Sequence, residues 1–213
     1  MNSLLIRRRG MMQAQQGGLP YDAQVEYLES TGTQWIDLGV KIDTEMDVSL
    51  TFIPTADNGG YSVGVGIFGT RDGLNSRNIS CYYTNSVVFC DYNSSSYAPY
   101  RAIVTNSPIG KLLVFNLSKY RREITINGVS TSNTTTYPSS FSALQNTCLL
   151  WIAGSDGFNS AKAIGKLYQF SITGLMQLIP VRVGTVGYMY DRVSGQLFGN
   201  SGTGSFVLGP DVQ

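Results

Sequence analysis

Residues 149–173, LLWIAGSDGFNSAKAIGKLYQFSIT, show most plainly how this chain is patterned. Positions 149–153 are apolar without a break, as in a strand buried on both faces. Positions 154–160 are rich in Gly, Ser, Asp and Asn, the residues that make turns. Then the pattern alternates. Tyr168, Phe170 and Ile172 are expected on one face, and Gln169, Ser171 and Thr173 on the other, the period of two of a half-buried strand. A core strand, a polar loop and an alternating strand in succession predict a two-sheet β-sandwich.

The same grammar runs through the chain from Tyr21. Strands are expected at 25–28 and 34–40 around the turn at 29–32. Val48, Leu50 and Phe52 alternate with Ser49 and Thr51, and Pro54 is expected to end that strand. Val63, Val65 and Ile67 alternate with Gly64 and Gly66. The bare glycine face there allows close approach of another backbone or a ligand, or a bend. The segment CYYTNSVVFC places Cys81 and Cys90 symmetrically about Asn85 and Ser86, so a two-residue turn sets them opposite each other. Residues 92–100, YNSSSYAPY, read as a loop. Further strands fall at 102–105, 111–117 and 121–126. Asn127-Gly128 then gives a strong hairpin signal, because a type I′ turn needs positive φ at both positions. Strands at 129–136, 178–183, 187–191 and 196–198 complete the set. About a dozen short strands and no long helix predict an all-β sandwich or barrel. Lys111, Lys119, Arg121 and Arg122 are expected to guard the sheet edges.

Residues 1–19 differ from the rest and form a separate unit ahead of a single β domain at 20–213. They hold Leu4, Leu5, Ile6, the triplet Arg7, Arg8 and Arg9, and the pair Met11 and Met12. Such a segment is too short to build its own core. It reads either as a disordered tail or as a docking arm that orders on a partner, with Arg meeting carboxylates and the apolar residues filling a groove. It does not read as a secretory signal, because its charges follow a short apolar run. No apolar run is long enough to span a bilayer, so membrane insertion is not expected.

Composition narrows the chemistry. The formal net charge is +1, which gives no reason to expect a nucleic-acid partner. His is absent, which removes the commonest general base and metal ligand. Three Cys make no complete disulfide framework, and Cys81 and Cys90 read as buried thiols. The four Glu, at 26, 29, 45 and 123, supply no paired acid and base on one strand, so no enzyme activity is expected. The loop carboxylates Asp72, Asp91 and Asp156 could hold calcium, or equally cap turns; no cofactor is assigned. Sugar binding needs aromatic faces in solvent. Tyr92, Tyr97 and Tyr100, in a loop, are the candidates, whereas Trp35 and Trp151 sit in apolar strands and are expected in the core.

Two segments carry a family resemblance. YDAQVEYLESTGTQWIDLGV and LIPVRVGTVGYMYDRVSGQLFGNSGTGSFVLGPDV resemble the opening and closing segments of a group of proteins from gut Bacteroides-type bacteria and their tailed, crAss-like phages. KLLVFNLSKYRREITINGV and GKLYQFSI resemble strands of laminin-G-like, concanavalin A-like jelly rolls. The resemblance implies a jelly-roll sandwich of two antiparallel sheets that binds carbohydrate or adheres. It further implies a virion surface protein, such as a head fibre, decoration or tail-associated protein. There the arm would dock on other virion proteins, and the protein would be a homo-oligomer. The alternative it leaves open is a free carbohydrate-binding module, secreted or on a bacterial surface.

Overall fold

The alternation of apolar and polar positions becomes paired strands throughout the computed structural model, which describes residues 18–57, 64–73, 76–93, 100–154 and 160–213. The first strands are β1 (Ala23–Gln24), β2 (Leu28–Thr31), β3 (Ile36–Asp37), β4 (Val48–Ala56), β5 (Val65–Gly73) and β6 (Ser76–Tyr83). There follow β7 (Val88–Tyr92), β8 (Arg101–Val104), β9 (Leu113–Leu117), β10 (Arg122–Ile126), β11 (Val129–Asn133) and β12 (Cys148–Leu149). The last are β13 (Ala153–Gly154), β14 (Ala161–Lys162), β15 (Ile164–Ile172), β16 (Met176–Val183), β17 (Val186–Asp191), β18 (Leu197–Phe198) and β19 (Val207–Leu208). Among the described residues there is no α-helix, and no helix long and apolar enough to cross a membrane.

Two sheets result. The larger runs β11-β10-β9-β4-β15-β16-β17-β18, with β2 beside β15, β19 beside β2, and β1 beside β16. The smaller runs β3-β12-β5-β6-β7-β8, with β13 and β14 also flanking β5. Between them lies one core. Leu50, Phe52, Phe115, Leu167 and Phe170 of the larger sheet meet Ile36, Phe68, Ile79, Tyr83 and Tyr92 of the smaller, all fully or almost fully buried. Phe68 and Phe170 touch across the sandwich with ring centroids 5.2 Å apart.

Several sequence expectations are corrected by local geometry. Pro54 does not end its strand; β4 continues to Ala56. Its neighbour β9 stops opposite Phe52; beyond that point Pro54 O accepts the Gly110 N–H at 2.7 Å, but no strand pairs there to need an N–H from the proline. Residues 149–153 are not one strand. Leu150 takes φ 65°, which separates β12, antiparallel to β5, from β13, parallel to it. Tyr168 does not share a face with Phe170, because a bulge between Leu167 and Gln169 shifts the register against β4. Tyr168 instead lies beside Tyr27, rings 5.7 Å apart. The expected edge guards are also misplaced. Among the described residues the strands that end the two sheet paths are β11, β18, β3 and β8, while Arg122 on β10 is fully buried and Arg121 pairs with Glu123.

Candidate functional site

The smaller, eight-stranded sheet turns its core residues inward and leaves an outer face whose side chains fall into cross-strand rows. One row is Lys162, Gly66, Tyr82, Phe89 and Ile103, each paired with the next. A second is Asp37, Cys148, Gly69, Ser80, Asp91 and Arg101. Arg71 and Asn78 pair in a third. Their strand neighbours Cys81, Cys90 and Ala102 belong to the core, so by the period of two these rows face outward.

The first row carries the aromatic pair Tyr82 and Phe89, and a second aromatic pair stands beside its Lys162 end. Tyr82 and Phe89 stack, centroids 4.7 Å apart and planes 15° from parallel. The Arg101 guanidinium lies over Phe89 at 5.0 Å and donates from Nη2 to the Tyr82 hydroxyl at 2.8 Å. At the other end Trp35, just ahead of β3, packs on Trp151, just after β12, at 4.8 Å and 60°. The Lys162 ammonium stands 5.2 Å from the Trp151 ring. Both Trp are half-buried, not core residues. Sequence reading missed them because 149–153 looks like an unbroken buried strand. The turn at Leu150 is what swings Trp151 out of the core.

Between the two aromatic groups the middle strand is covered at Gly66, which is buried. A Cβ on Gly66 would stand 2.4 Å from Ser160 Oγ and 2.9 Å from Ile152. The close backbone approach expected at this glycine is therefore made by the chain itself, in the segment leading into β14, where Ser160 Oγ accepts the Ile152 N–H at 3.1 Å.

The polar rows are fixed by charge. Asp91 is fully buried, and Arg101 grips it through Nε at 2.5 Å and Nη2 at 2.8 Å. Burial pushes the Asp91 carboxyl up, against the pull of Arg101 and Tyr82. Burial draws the Arg101 guanidinium down, but the hydrogen bond and charge of Asp91, with Tyr82, together outweigh it and raise the group on balance. Burial, then Asp91, pushes the Tyr82 phenol up, so it stays a neutral donor and acceptor. Cys148, in the Asp91 row, is pushed up to about 12, first by burial and then by Asp37; it is no nucleophile at neutral pH.

Two carboxylates, Asp37 and Asp91, lie in one row. Four strand spacings separate them, ~19 Å at the usual interstrand distance, far beyond the roughly 5–9.5 Å of a glycosidase pair. Asp91 is moreover closed off by Arg101. Of the calcium candidates, Asp91 is so occupied, Asp72 accepts the Leu144 N–H at 2.5 Å, and Asp156 lies outside the described residues. Among the described residues no group of three His, Cys, Asp or Glu could hold a metal.

Of the predicted sugar ligands, Tyr92 is corrected. It ends β7 with its ring in the core, fully buried, and its hydroxyl donates to Thr44 O at 2.7 Å. The parity of β7 forces this: Val88, Cys90 and Tyr92 share the inward face. Tyr100 is half-buried, edge-on to Tyr137 at 4.9 Å. Tyr97, and the arm residues Leu4 to Met12, lie outside the described residues. Cys81 and Cys90 stand opposite each other as the turn predicts, both buried free thiols.

No protein-family model matches the chain, and a search of curated proteins finds no match. Solved structures do resemble it. One holds domains LG4-5 of the mouse laminin alpha1 chain, 13% identical with a TM-score of 0.52, covering 91% of this chain and 48% of that one. This chain thus spans about half of that laminin fragment. Another is alginate lyase A1-II′ of polysaccharide lyase family 7, 14% identical over 63% of this chain and 64% of that one, with a TM-score of 0.33, a likeness too slight to argue from. The laminin likeness shows the fold: a laminin-G-like jelly-roll sandwich of two antiparallel sheets.

Proposed function

We infer that the protein is a non-enzymatic adhesive module that takes extended glycans across the outer face of its smaller sheet. One observation carries this reading. The smaller sheet carries two aromatic groups, each backed by a cation: Tyr82 and Phe89 with Arg101, and Trp151 with Lys162. Aromatic faces pack on the apolar faces of sugar rings, and arginine, lysine and amide groups hold hydroxyls. A ligand reaching both groups would run perpendicular to the strands, over the segment that covers Gly66. The test is a glycan array followed by titration calorimetry on the best binder. Binding that falls with Tyr82→Ala and Trp151→Ala supports the reading; an array blank at high protein concentration sinks it.

We further propose that the module is displayed on a phage virion through residues 1–19. The support is the resemblance of residues 21–40 and 178–212 to phage and gut-bacterial proteins, together with the Arg7–Arg9 triplet flanked by apolar residues. Mass spectrometry of purified particles decides between this and a free module. Many copies per particle support display, whereas protein found only in the medium or on cells assigns the same sheet face to a secreted or surface-bound binder. A chain without residues 1–19 should fold and bind glycan yet fail to join the particle.

A further inference from the structure

We propose that β11 is a self-pairing edge: two copies of the chain join antiparallel along Val129–Asn133 and continue the larger sheet through a two-fold axis at Thr131.

Four strands end the two sheet paths among the described residues, and they are unlike one another. β18 and β3 are two residues long, and such short edges offer little to pair with. β8 carries Arg101. β11 is the longest of the four. Its residues Val129 to Ser132 are all exposed, Val129 at 72%, and it holds no charged side chain and no proline. Among the described residues it thus has neither a charge, a proline nor a bulge to guard it.

The register says which groups are offered. Asn127 and Gly128 take φ 47° and 84°, and Ile126 pairs with Val129. In such a two-residue hairpin the flanking residues exchange both backbone hydrogen bonds. Alternation then turns the N–H and C=O of Val129, Thr131 and Asn133 towards β10, and those of Ser130 and Ser132 outward. A second copy placed antiparallel about Thr131 brings Ser130 opposite its partner's Ser132, and the reverse. Each outward group then finds its complement, four hydrogen bonds in all. The uncharged strands meet without like-charge repulsion, and Val129 falls opposite the partner's Asn133. No other register about a two-fold axis satisfies both serines in both chains.

The register gives its own test. Thr131 faces its own copy as a pair without backbone hydrogen bonds, Cα atoms about 4.5 Å apart, within the reach of a disulfide. Thr131→Cys in the full chain, with oxidised glutathione, should give a covalent dimer, two thiols passing two electrons and two protons to one glutathione disulfide. Val129→Cys, whose two copies stand four residues out of register, should stay monomeric. The wild-type chain should show a weight-average mass that rises with concentration in sedimentation equilibrium. Ser132→Pro removes an outward N–H and leaves the β10 ladder whole, so it should abolish that rise while retaining the wild-type melting temperature. Equal cross-linking of the two cysteine variants, or an unchanged rise in Ser132→Pro, would overturn the proposal. Because glycan binding is read on the other sheet, its loss or survival is independent of this result.

Discussion

Tyr82 and Phe89 are direct cross-strand partners on β6 and β7, and their stacked rings lie 4.7 Å apart on the face turned away from the core. A stacked pair on that face adds nothing to the packing between the sheets. Tyr82→Ala and Phe89→Ala should therefore melt within a few degrees of the wild type but lose about tenfold or more in glycan affinity, about 1.4 kcal/mol. Tyr82→Phe, which keeps the ring, should lose less. Calorimetry with the best array ligand checks this, and equal losses in Tyr82→Phe and Tyr82→Ala would shift the role from stacking to the hydroxyl.

Tyr92 makes the contrasting case. Its hydroxyl is spent on Thr44 O inside the sandwich, and its ring is edge-on to Phe141 at 5.5 Å. Tyr92→Phe leaves Thr44 O without its buried donor and should destabilise the fold by about 1–3 kcal/mol, with glycan affinity unchanged. Chemical denaturation alongside calorimetry separates the two effects.

The fold was legible because period-two alternation is a direct imprint of a half-buried sheet, and Val48, Leu50 and Phe52 or Ile124 and Ile126 carry it cleanly. The site was not. Tyr92 was read as a loop residue because the Ser-rich run after it hides that Val88 and Cys90 fix its parity. Trp35 reads as core from its place in an apolar strand, and Trp151 does so because nothing in LLWIA signals that Leu150 takes a left-handed turn. The Asp91–Arg101 pair is adjacent only through the register of β7 on β8, which the intervening loop conceals.

That pair should dominate the response of the face to mutation. Asp91 is wholly buried and Arg101 largely so. Arg101→Met strands a buried carboxylate and should cost about 3–5 kcal/mol. Adding Asp91→Asn should recover much of it, since a neutral amide tolerates the site. The pH sign follows from burial, which already holds the Asp91 carboxyl above its ordinary value of 3.8. A raised carboxyl favours the fold below that value, and the benefit is lost as pH climbs through the raised one. Removing Arg101 deletes the opposing pull, so Arg101→Met should be more stable near about pH 5 than near about pH 8. Urea midpoints at the two values test it, and an Arg101→Met curve flat in pH would sink the argument.

Asp191 should show the opposite sign. It ends β17, and although burial pulls its carboxyl up, its hydrogen bonds prevail and hold it below 3.8. Oδ2 accepts the Ser194 hydroxyl at 2.6 Å and the Ser194 N–H at 3.1 Å; Oδ1 accepts the N–H of Gln177 at 2.8 Å and of Val193 at 3.1 Å. The ionised carboxylate is thus the partner that ties the turn after β17 to the start of β16. A depressed carboxyl contributes stability above its ordinary value and loses it as pH falls through the folded one. Asp191→Asn presents an amide donor to one side of this cluster of donors and should cost about 1–3 kcal/mol at neutral pH. In acid the wild type protonates and forfeits the same bonds, so the gap should close as pH falls below 3.8 and through the depressed value. Thermal melts of both chains across this range decide it: a gap that stays constant into acid would mean that the side chain's shape, and not its charge, holds the turn.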